Sequence, residues 1–415
     1  MNILYLVHRF PFPPDKGDRI RAFHIIRELS RHHQVHVVTF ADAPVRPADE
    51  AALAEYCGSL SIAPMNSLKR LTRTAWSLAT GGSATCGAFA SSGFRRSIRE
   101  VTSNTDVDCI LLSSSGLSRF LEMPELSSQP LLVDFVDVDS QKWADYGDSA
   151  PFPKQILYNL ESRQLLRVER GLLDRASAVL LVTDAETELC KERCGNGPLY
   201  TVTNGVDLDY FQPTQESNDP DGKEGVYSCV FTGAMDYRPN IDAVHWFSHQ
   251  VWPEIIRVYP SAKFRIVGRN PSRAVTDLKS IHGVQVTGGV TDVRPYLRKA
   301  TISVAPLRIA RGCQNKVLEA LASGNATIAS SQAAAGLRAK ADRDLLVADR
   351  PSEWVDGISK LFTSETRRRQ LGAAGRDYVV QCHNWKTCLQ PLSEMIATFT
   401  QQNSCADISD AMTIA

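Results

Sequence analysis

Between Ala310 and Gly324 the chain reads ARGCQNKVLEALASG. Arg311, Asn315, Lys316 and Glu319 fall within nine positions of a stretch whose remaining residues, Val317, Leu318 and Leu321, suit a core. On a helix, Lys316 and Glu319 share a face because they are three apart. A carboxylate one turn into such a helix can accept both vicinal hydroxyls of a ribose, and an ammonium beside it can pair with a diphosphate. The helix start itself favours an anion, since its first N–H groups lack partners and the dipole is positive there. Gly312 would open that end. The bland alternative is an exposed Lys–Glu pair contributing a few tenths of a kcal/mol. Position favours chemistry, because the stretch directly follows the strand candidate TISVAP.

That position depends on the elements around it. NILYLV, the helical pattern RIRAFHIIRELSRH and QVHVVTF give strand, helix and strand within about forty residues, which favours a parallel sheet with crossover helices. DCILLSS (108–114), PLLVDFVDV (130–138) and AVLLVT (178–183) continue the series, the last preceded by the helix LESRQLLRVERGLLDRA. After the polar segment QPTQESNDPDGKEG a second series begins. It runs through strand VYSCVFTG, helix NIDAVHWFSHQVWPEII, strands KFRIVG and VQVTGG, helix VRPYLRKA, strand TISVAP, the opening helix and strand NATIAS. The reading is α/β, with two doubly wound units in tandem joined near 200–213. The expected boundaries are 1–200 and 201–385, then a helix over 386–400 crossing back to the first domain, and a mobile tail over 401–415. Ligands of open α/β sheets bind beyond the carboxyl ends of the strands, and two sheets facing each other make a cleft. Residues just past strands are therefore the ones to inspect. They include Gly17 in PDKGDR, and Gly233 and Arg238 in TGAMDYRPN.

Lys plus Arg and Asp plus Glu are both 46, so bulk charge argues against nucleic acid and any anion site must be local. Ten cysteines without a CxxC pair fit a reducing compartment. The apolar run before His8 is too short for a signal-peptide core, and no run approaches the roughly 18 residues of a membrane span. A cytoplasmic protein is expected. The histidines show no metal-ligand spacing. NSLKRLTRTAWSLAT and FRRSIR set Leu68, Leu71, Ala75 and Trp76 beside Lys69, Arg70, Arg73, Arg95, Arg96 and Arg99. Such basic amphipathic patterns suit the anionic inner face of a membrane, or an ordinary surface helix with its apolar stripe on the core.

The opening stretch resembles the nucleotide-sugar-binding helix of family-4 retaining glycosyltransferases of the GT-B fold, whose pattern is roughly E-G-F-G-x-x-x-x-E-A-M-A-x-G-x-P-V. Glu319, Ala320, Ala322 and Gly324 match its second half. PFPPDKGDRIRAFHIIRELS resembles the family's first loop and helix, TNGVDLDYFQP its linker and GAAGRDYVVQCHNW its closing segment. DFVDVDSQKW, GAMDYRPN and ARGCQNKVLEALASG together resemble a bacterial subgroup associated with exopolysaccharide and exosortase (PEP-CTERM) gene clusters. The resemblance implies two Rossmann-like domains facing a cleft, an acceptor domain first and a donor domain second. It also implies transfer of a sugar from a nucleoside-diphosphate sugar to a glycan or lipid-linked acceptor with retained configuration, and neither cofactor nor metal. Glu319 would hold the ribose, Gly312 would lie near the sugar or phosphates, Gly17 would stand beside the diphosphate, and Gly233 and Asn315 would belong to the donor site. Arg311 stands where the family has its first Glu, so the diphosphate would fall to Lys316 with Arg238 or Arg311. Where many relatives carry a His near the reacting carbon, Asp137 and Asp139 stand instead. Lys316, Arg238 and Asp137 are thus the expected catalytic groups. A GT-B epimerase and a non-catalytic nucleotide-sugar binder share the donor helix. A dinucleotide oxidoreductase is disfavoured, because no G-x-G-x-x-G turn follows NILYLV.

Overall fold

The computed structural model describes residues 1–15, 17–148, 150–213 and 227–413, with side chains as far as 399. Beyond Pro213, the polar segment expected to join the domains lies outside the described residues, as do the side chains of the expected tail at 401–415. The chain divides into two compact units, Met1–Thr203 with Leu389–Ala415, and Asn204–Cys388.

The first unit is built on β1 (Asn2–Val7), β2 (Gln34–Ala41), β3 (Ser59–Pro64), β4 (Cys109–Ser113), β5 (Leu131–Val136), β6 (Ala178–Leu181) and β7 (Leu199–Thr201). Their order is β3-β2-β1-β4-β5-β6-β7, and all pairs are parallel. Central strands such as β4 are buried along their whole length, which is why they read as continuous apolar runs rather than as alternation. Arg21, in the helix Gly17–Leu29, is buried against Asp134 of β5. Its Nε and Nη2 each donate to that carboxylate at 2.8 Å, and Nη1 donates to the Val202 carbonyl at 2.8 Å. The guanidinium therefore ties the helix behind PDKGDR to β5 and to the chain leaving β7.

The second unit holds β8 (Ser228–Thr232), β9 (Lys263–Val267), β10 (Val284–Gly288), β11 (Ile302–Ala305), β12 (Thr327–Ala329) and β13 (Leu346–Val347). They lie in the order β10-β9-β8-β11-β12-β13, again all parallel. The single helix expected over NIDAVHWFSHQVWPEII is two, Arg238–Gln250 and Trp252–Val258. Pro253 has no N–H to continue the ladder, so the chain restarts at Trp252. Strands β3, β7 and β13 went unread because each is short or only half-buried.

Candidate functional site

Strand order in the second unit reverses between β8 and β11, which lie side by side. The crevice beyond their carboxyl ends is the switch point where open α/β sheets take ligands. From β8 the chain turns through Gly233 into the helix Arg238–Gln250; from β11 it passes Gly312 into the helix Asn315–Ala322. The backbones crowd here. A Cβ on Gly268 would sit 1.6 Å from the Gly233 carbonyl oxygen, and one on Gly233 would sit 2.7 Å from Asn240 Nδ2 and 3.4 Å from Lys316 Cε. Glycine at both strand ends is thus a requirement of close approach.

Val317, Leu318 and Leu321 bury as their spacing requires, which leaves Lys316 and Glu319 half-buried on the other side of the helix. Lys316 Nζ donates to Asn240 Oδ1 at 2.9 Å and lies 5.3 Å from the centre of the Phe231 ring. Asn240 is 3% exposed, and its Nδ2 donates to the Ala234 carbonyl at 2.8 Å, so its oxygen is turned toward the ammonium. Burial pushes Lys316 down to about 8 against the opposing charge of Glu319, and pushes Glu319 up to about 7 against that of Lys316. This differs from the exposed pair of the bland alternative. Both charged forms are disfavoured where they stand, and an anion or hydroxyl ligand would relieve that.

Asn315, the first residue of the helix, accepts from Asn204 Nδ2 at 3.3 Å. Asn204 is held in turn: its carbonyl accepts from His383 Nδ1 at 2.8 Å, while Tyr378 donates to His383 Nε2 at 2.8 Å and accepts from the Arg338 N–H at 3.0 Å. A Cβ on Gly205 would meet the Trp385 ring at 2.7 Å. At the far end of the same helix Arg376 donates to the Ala322 carbonyl, and also to that of Phe211 at 2.8 Å. The stretches TNGVD and GRDYVVQCHNW therefore meet around one helix. Asn240, Asn204, His383 and Arg376 were given no role from sequence, although all four lie inside motifs noted there.

Other expected residues are placed as follows. Gly312 adopts φ +61°, and Gln314 rather than Gly312 caps the helix, its Nε2 donating to the Arg311 carbonyl at 2.8 Å. Arg238 stands exposed at the start of its helix and Arg311 half-buried in the turn. Gly17 and Asp137 belong to the first unit. Gly17 opens its helix beside Asp18, whose carboxylate accepts from Arg9 at 3.0 Å and lies 3.5 Å from His8 Nε2. Asp137 follows β5. Among the described residues no group of three or more His, Cys, Asp or Glu side chains is placed to hold a metal ion. Nor is any described helix long and apolar enough to cross a membrane.

The fold has solved counterparts that span nearly the whole chain. A sucrose-phosphate synthase from Thermosynechococcus elongatus superposes with a TM-score of 0.72 at 15% identity, covering 97% of this chain and all (100%) of that one. The Anabaena protein HepE, in complex with UDP and glucose, gives 0.67 at 12% identity, with 96% and 100% covered. WaaG, a glycosyltransferase involved in lipopolysaccharide biosynthesis, gives 0.64 at 13%, with 95% and 99% covered. At these identities the likeness establishes the fold. No curated protein matches the chain. Residues 227–364, from the approach to β8 through the helix that follows β13, match the family described as Glycosyl transferases group 1, in a chain whose fold is GT-B.

Proposed function

We propose that the protein transfers a sugar from a nucleoside-diphosphate sugar to a hydroxylated acceptor, with the donor held at the β8–β11 switch point. The observation that carries this reading is Lys316, a half-buried ammonium held by a neutral amide one turn from a half-buried carboxyl. Glu319 takes the ribose hydroxyls. Lys316, with Arg238 or Arg311 and the N–H groups near Gly312, meets the diphosphate. As the bond between sugar and diphosphate breaks, negative charge grows on the leaving group, so a cation there lowers the barrier more than it stabilises the bound donor. Asp137 acts on the acceptor side. Retention of configuration is the outcome proposed, on the resemblance of the donor helix.

The acceptor we infer is a glycan or lipid-linked molecule at the cytoplasmic face of a membrane, in the making of exopolysaccharide. Support comes from the helix Ser67–Ala79. Its Leu68, Leu71 and Trp76 are 73%, 66% and 71% exposed, so the apolar stripe does not lie on the core. The cationic surface is narrower than the sequence suggested. Arg99 pairs with Glu125 at 3.0 Å and Arg96 with Glu100 at 3.8 Å, while Arg95 and Arg73 are drawn to the Arg119 and Ala90 carbonyls, which leaves Lys69 and Arg70 as its basis. A panel of nucleotide sugars, scored for thermal stabilisation and for hydrolysis, tests the function, since a ligand raises the melting temperature by mass action. UDP-glucose is the first candidate, because HepE has been captured with it. If no nucleotide sugar stabilises the chain, the donor site fails.

A further inference from the structure

The chain leaving β5 makes a turn that is unfavourable for its residues. Val136 has φ +68°, a left-handed value that a β-branched side chain rarely adopts, and the Asp137 N–H reaches back to the Phe135 carbonyl at 2.8 Å. The pair closes a three-residue γ-turn of the rare kind. At the end of the neighbouring strand β4, Ser114 is also left-handed, at +80°. Such conformations cost of order 1–3 kcal/mol each and persist only where the surroundings over-determine them.

Here the surroundings are two buried carboxylates on separate helices. Glu186 is 4% exposed and accepts the Val138 N–H at 2.9 Å; Glu169 is 1% exposed and accepts the Ser140 N–H at 2.9 Å. Ser162 Oγ donates to the Ser140 carbonyl at 2.7 Å, and Ser115 Oγ to Asp139 Oδ2 at 3.2 Å. Burial pushes the Glu169 carboxyl up to about 7 even though the Ser140 bonds pull it down. Burying two acids to receive backbone N–H groups is an expensive way to close a loop, and a loop with no task would not need it.

We infer that Glu169 and Glu186 are positioning residues, holding residues 136–140 in this turn so that Asp137 stands fixed at the carboxyl edge of the first unit's sheet to meet an acceptor hydroxyl. The inference rests on the transferase reading above. Its test uses the full chain with Glu169→Ala and Glu186→Ala, singly and each combined with Asp137→Asn. The alanine variants are expected to lose about tenfold in kcat, because a small displacement of a reacting group is costly, while donor KM and nucleotide Kd stay within about twofold. Adding Asp137→Asn should bring no further loss, since residues that act through one another are non-additive. Turnover within about twofold of the parent, or losses that multiply, would overturn the positioning role. Should an alanine chain fail to fold, Glu169→Asp and Glu186→Asp, which withdraw the carboxylate by one methylene, carry the same expectation. If the parent binds nucleotide sugars but transfers none, the transferase reading fails separately. Amide exchange then decides the turn: the Val138 and Ser140 N–H groups should exchange at least about tenfold faster in the alanine chains, and unchanged exchange would overturn the inference.

Discussion

Lys316 and Glu319 are poised oppositely, and their titration should be visible in donor affinity. Glu319, held up to about 7, offers its carboxylate to a ribose only above that pH; Lys316, held down to about 8, loses its ammonium above that one. Affinity for a nucleoside diphosphate is therefore expected to rise through about pH 7, fall beyond about pH 8 and peak between. Calorimetric titration across this range checks it. Glu319→Gln should abolish the acid limb and weaken binding while leaving the chain folded. Lys316→Ala should lower kcat roughly ten- to a hundredfold, with a smaller rise in donor KM, because leaving-group charge grows in the transition state. A variant with normal turnover and a slightly lower melting temperature would return Lys316 to a structural role. Both residues were legible from their spacing and from the strand before them. Asn240 was not, because it lies 76 residues from Lys316 in sequence and meets it only through the pairing of β8 with β11, which no local pattern announces.

The helix Asn315–Ala322 is gripped at both ends, and the grip can be loosened one atom at a time. Tyr378→Phe removes the hydroxyl that serves both the Arg338 N–H and His383 Nε2, so the buried imidazole and a backbone N–H both lose this partner. A loss of about 1–3 kcal/mol in unfolding free energy is expected, seen as a lower midpoint in denaturant. An unchanged midpoint would show that Asn204 is held by other means. A second helix illustrates what pattern leaves open. The amphipathic character of Ser67–Ala79 was legible from the alternation of Leu and Trp with Lys and Arg, but its burial was not. In the fold only Ser77 of that helix is buried, tucked under the turn that follows with its hydroxyl donating to Ser83. The inward side of the helix is formed by Arg73, Thr74, Ser77 and Leu78, not by the stripe of Leu68, Leu71 and Trp76.

For the molecule as a whole, that exposed helix predicts binding to anionic vesicles. Trp76→Ala should lower co-sedimentation at every ionic strength, whereas Lys69→Ala with Arg70→Ala should remove the part that falls as salt shortens the Debye length. Absence of binding at low salt would discard the membrane partner. The organisation into two doubly wound units was legible because buried parallel strands write themselves as apolar runs separated by helical stretches. Strand order was not legible, and with it went the switch points and the strained exit of β5, since the φ of Val136 is imposed by tertiary contacts against its own preference. The Arg21 node carries a consequence for biosynthesis. Its guanidinium is buried among partners 113 and 181 residues further along, and such a charge docked without them is strongly unfavourable. As the polypeptide emerges from the ribosome, the helix Gly17–Leu29 can settle on the sheet only after Val202 has been made, two residues before the second unit starts at Asn204. Residues 1–203 should thus stay open throughout their own synthesis and close as translation of the second unit begins, while the segment from Leu389 that completes the first unit can join only at the end.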